Sequence, residues 1–71
     1  TGQAMKLYKA KAGDYVLLLD DARVPLGASS VTAGTVLKLH GIDGMYSHCT
    51  DDLGGRYHPA ALSEVEIVTP V

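Results

Sequence analysis

Hydrophobic positions in this chain come in short runs, and eight glycines and three prolines break them up. No window of about 11 residues keeps a 3.6-residue apolar period free of both, which argues against an amphipathic helix. The runs are rich in Val, Leu, Ile, Tyr and Thr, the residues that suit a pleated, half-buried surface. Short runs of this kind with frequent turn signals predict an all-β domain. The expected elements are Lys6–Ala10, Tyr15–Leu19, 32–40, Met45–Thr50, 56–58 and Val65–Val68. Tyr15-Val16-Leu17-Leu18-Leu19 is apolar throughout, which predicts burial on both faces, or a core on one and an interface on the other. Leu37 and Leu39 alternate with Lys38 and His40, the pattern of a half-exposed strand. Between them, Asp20 to Val31 reads as a long loop, Asp43-Gly44 as a tight turn, and "DDLGG" at 51–55 as a second turn. Pro59-Ala60-Ala61-Leu62 predicts one helical turn that packs against the floor of the fold, with proline at its first position.

Length narrows this further. Seventy-one residues make one domain with a small core and a stability on the order of 4–10 kcal/mol. Small domains often add a disulfide, a metal or a partner chain. The single cysteine, Cys49, cannot form an internal disulfide, and the Cys and His positions lack zinc-site spacing. Self-association remains, so a homo-oligomer is expected, and one free thiol suits a reducing, cytoplasmic setting. Thr1–Ala4 precede Met5 and read as a remnant of an expression tag, which puts the domain at 5–71. The net charge of −2 lacks the basic excess that phosphate contacts demand, so nucleic acid is a disfavoured partner. No apolar run reaches the roughly 20 residues of a membrane-spanning helix.

Candidate chemistry is sparse. His40, His48 and His58 read as surface positions rather than as a base or a metal site. On a regular strand His48 and Cys49 point to opposite faces, so the histidine cannot activate the thiol, and Cys49 reads as core. Asp20-Asp21 and Asp51-Asp52 lack both the facing geometry of a carboxylate acid/base pair and the spacing of a calcium loop, and read as turn residues. The chain has four tyrosines and neither Trp nor Phe. Without tryptophan, a polyproline-binding groove is not expected. Tyrosines at a rim suit a protein interface.

Three stretches carry a family resemblance: "GDYVLLLD" (13–20), "GTVLKLHGIDGMY" (34–46) and "YHPAALSEVEIV" (57–68). Their order from Met5 to Val68 resembles SH3-like small barrels of the KOW type and of plasmid and phage proteins. The resemblance implies a five-stranded barrel with one short 3-10 turn before the last strand. "YHPAAL" is also similar to the end of the plasmid type II dihydrofolate reductases, whose chains form a tetramer around a pore. That likeness implies a shared cavity lined by Tyr57, Arg56 and Lys38. Tyr57 alone matches the family's binding run; its glutamine and isoleucine positions are Gly55 and Arg56 here. The KOW likeness implies an RNA contact through Lys6, Lys9, Lys11 and Arg56. The leading expectation is a non-catalytic protein-interaction or assembly module, self-associating, with no cofactor, metal or catalytic residue. Its contact residues are expected among Tyr57, Arg56, Tyr46, His48 and Lys38.

Overall fold

Six antiparallel strands form one sheet in a computed structural model that describes residues 3–69. The strands are β1 (Met5–Lys6), β2 (Tyr15–Leu18), β3 (Val36–Asp43), β4 (Tyr46–Thr50), β5 (Arg56–Tyr57) and β6 (Glu64–Val68). Their order across the sheet is β1-β6-β2-β3-β4-β5. Alternation decides which side chains face inward. Val16 and Leu18 on β2, Leu37 and Leu39 on β3, Cys49 on β4 and Val65 on β6 meet Leu7 and Val31 in one core. The apolar run at 15–19 is explained by position: β2 lies between β6 and β3, so even its outward Tyr15 and Leu17 are half-buried. The chain ending at Pro70 and Val71 lies outside the described residues, as do Thr1 and Gly2.

The five-stranded barrel is corrected to a six-stranded sheet that does not close, with the two-residue strands β1 and β5 at its edges. The reason lies at residues 59–63. Pro59 has no N–H to give a ladder. Beyond it the chain turns, with Ser63 N–H donating to the Ala60 carbonyl at 3.0 Å. Single bonds hold this segment instead. Ser47 N–H donates to Pro59 O, Ala61 N–H to Met45 O, and Tyr8 N–H to Ala61 O. Among the described residues the one 3-10 turn spans Leu7–Lys9, where a strand was expected, rather than preceding the last strand, and the 59–62 segment is a turn rather than a helix.

Two further shifts matter for the surface. Thr32–Thr35 form a turn, so β3 starts at Val36 and runs through the expected turn to Asp43. The hairpin loop is Gly44-Met45, with Gly44 at φ 65° and Asp43 opposite Tyr46. Glycine in the first loop position suits a two-residue loop of type II′. A bulge sits between Leu39 and Gly41, so His40 is the extra residue on β3. The loop after β2 is folded back on itself. Ala22 bridges Val31, and Asp21 Oδ1 accepts from Ala33 N–H at 2.9 Å.

Candidate functional site

The main concavity is a groove of about 730 Å³ between the 3-10 turn, the β3–β4 hairpin, the loop after β2 and the 60–64 turn. Each wall has a local cause. The hairpin loop lifts Met45 out of the core, and the turn after Pro59 does the same for Leu62, at 76% and 67% exposure. Tyr8 is exposed on the 3-10 turn, and Ile42 lies outward at the end of β3. Tyr46 and the two alanines Ala60 and Ala61 complete an apolar lining. Exposed large apolar groups in one concave patch are costly to leave in water, and such patches mark contact sites.

Charge sits on the rim. Asp20, Asp21 and Glu64 line the groove against one cation, Arg23. Lys6 Nζ lies 2.6 Å from Glu64 Oε1 and partly offsets that carboxylate. This hydrogen bond raises the Lys6 pKa, with burial opposing it and Asp20 adding to it. The rim therefore keeps a negative balance.

A second, smaller cavity of about 260 Å³ lies on the outward face of β3, β4 and β5. His40, His48, Thr50, Arg56 and His58 line it, with Cys49 behind. Cys49 is buried, and burial pushes its thiol pKa up, so the sulfur stays protonated and unreactive. Among the described residues no group of three or more His, Cys, Asp or Glu has metal-binding geometry.

The residues expected from the sequence are separated by this fold. Tyr46 lines the groove. His48 and Arg56 line the small cavity on the outward face. Lys38 stands outward with its ammonium 5.9 Å from the centre of the Tyr15 ring. Tyr57 faces the other way and packs against the core, opposite Cys49. Within one chain Tyr57 and Arg56 therefore do not share a cavity. Leu62 does not pack against the floor as expected; Pro59 and Ala61 fill that place. The groove residues Tyr8, Ile42, Met45 and Leu62 were not foreseen, because they come from separate segments that only the topology unites.

With the geometry in place, the chain was compared with known proteins. No family model, no curated protein and no solved structure matches it. No helix among the described residues is long and apolar enough to cross a membrane. Any functional reading therefore rests on the groove and the outward face themselves.

Proposed function

We propose that this chain is a non-catalytic protein-interaction module whose contact surface is the apolar groove. The observation that carries this reading is the concentration of Tyr8, Ile42, Met45 and Leu62 in one concavity, all exposed. The rim identifies the partner's chemistry. Three carboxylates against one guanidinium favour an extended segment that alternates apolar side chains with Lys or Arg. Apolar contact supplies the affinity and the carboxylates supply orientation. Binding should weaken with salt, because exposed charges are screened within about 10 Å at 0.1 M ionic strength.

Titration with a synthetic peptide of alternating Leu and Arg, read by backbone amide shifts, tests this. Saturable shifts should fall on 42–46 and 60–64. Met45→Glu should reduce affinity at least about tenfold, since it replaces an apolar contact with a carboxylate that must be desolvated in the groove. Both side chains stand in water in the free protein, so the fold should be unaffected. Shifts that scatter over the surface, or that are equal in the variant, would refute the reading.

The self-associating form of the module rests on a separate observation. Leu26 is fully exposed at the tip of the loop that borders the groove, and Leu53 is 90% exposed on another turn. A second copy offers an apolar knob of the right kind. Sedimentation across a hundredfold concentration range decides it: a rising mass that Leu26→Ser abolishes supports self-association, and a constant monomer mass rejects it.

A further inference from the structure

The outward face of the three strands β3, β4 and β5 carries a chemistry the groove does not use. Alternation with the buried Ser47 and Cys49 points His48 and Thr50 outward on β4. The pairing of Cys49 with Tyr57 then sets His48 opposite His58, and their rings meet edge to face, centroids 5.1 Å apart at 89°. The bulge brings His40 into the same row, and bulges commonly re-aim a side chain in this way. Arg56, opposite Thr50, completes the set. The chain has eight acidic residues, yet none of them lines this cavity.

The hydrogen bonds hold the rings without using them up. His58 Nδ1 lies 3.0 Å from the Ser47 carbonyl, which can only accept, so Nδ1 carries a proton and Nε2 remains open. His40 Nε2 lies 2.7 Å from Thr50 Oγ1. His48 Nε2 has Asp43 at 3.4 Å, an exposed carboxylate that offsets it only weakly. Three neighbouring imidazoles beside a guanidinium repel one another once protonated, because like charges across adjacent strands destabilise a sheet. An anion placed between them reverses that sign.

We propose that this cavity is a binding site for a tetrahedral oxyanion, the phosphate or sulfate group of a small ligand. Arg56 gives it a permanent charge, and the imidazoles that line it add N–H donors. Of the other charged groups, Asp43 on β3 reaches the His48 ring, and Lys38, Asp51 and Asp52 line an adjoining depression that shares Thr50 with this cavity. Asp51 is already engaged by backbone N–H groups of its own turn.

Inorganic sulfate is the probe. The Cε1–H resonances of the three histidines should shift together and saturate. Arg56→Gln should weaken the Kd by about tenfold or more. The double variant His48→Gln, His58→Gln should lose saturable binding while its amide spectrum stays folded, since His48 is exposed and a Gln amide at 58 can still donate to the Ser47 carbonyl. Inorganic phosphate and a simple phosphate ester distinguish the source. Equal affinity assigns a free anion, and a tighter ester assigns an organic phosphate. Linear, unsaturated shifts, a Kd unchanged in Arg56→Gln, or binding retained in the double variant would each overturn the proposal.

Discussion

Asp51 shows how much one side chain can decide here. Its Oδ1 accepts from Leu53 N–H at 3.0 Å and from Gly55 N–H at 2.6 Å, which shapes the turn between β4 and β5. A Cβ at Gly55 would meet Asp51 Oδ2 at 2.7 Å, so a larger residue there must displace the carboxylate that shapes the turn. The Gly55 bond, helped by the Tyr57 hydroxyl, holds the Asp51 carboxyl below its ordinary range. A carboxylate with a lowered folded-state pKa stabilises above its unfolded value, near 3.8, and loses that contribution as pH falls through the folded value. Thermal denaturation between pH 2 and 7 should therefore show stability falling below about pH 4, and Asp51→Asn should flatten that limb. An unchanged acid limb would mean that the turn is held otherwise. Cys49 has the opposite sign: its raised pKa removes stability as pH climbs into the alkaline range. Among the described residues Ser47 is the one buried polar residue, and its hydroxyl donates to the Pro59 carbonyl at 2.7 Å. Ser47→Ala should cost about 1 kcal/mol in urea unfolding, a typical net hydrogen-bond contribution. A loss near zero would show that the Ser47 N–H alone satisfies that carbonyl.

At the scale of elements, the sequence was most legible where alternation was clean. Leu37 and Leu39, and Ser47 and Cys49, face inward as the period-two pattern demands, and His48 lies on the opposite face from the thiol. Legibility failed where a backbone event carried no signal of its own. The bulge at His40 let β3 run on to Asp43 and moved the hairpin loop by one residue. Leu7-Tyr8-Lys9 has the composition of a strand but turns as a 3-10 segment, because its N–H groups bond to Ser63 and Ala61 across the open side of the sheet. That failure hid the groove, since Tyr8 is one of its walls. The core strands themselves are unforgiving. Leu37 is 1% exposed on β3, between β2 and β4. Leu37→Ala should cost about 2–5 kcal/mol and lower Tm by about 10 °C or more. A drop of a degree or two would mean that the site collapses around the cavity.

The whole molecule is compact despite its open sheet: the Cα radius of gyration is 10.6 Å, close to the roughly 11 Å expected for this length. It divides its surface by chemistry. One region is an apolar groove with an acidic rim, and another is a row of histidines with an arginine. Each joins stretches that lie far apart in sequence, which is why reading along the chain pointed to single positions such as Tyr57. That tyrosine packs against the core, and the groove proposed as the contact surface is lined by other residues. The most direct test compares two peptides that differ only in charge, one alternating Leu with Arg and one alternating Leu with Glu, by titration calorimetry and amide shifts at low salt. The account predicts saturable binding of the Arg peptide in the groove, loss of about tenfold or more on Asp20→Lys with Asp21→Lys, and no binding of the Glu peptide. Equal binding of both peptides, or none by either, would contradict it.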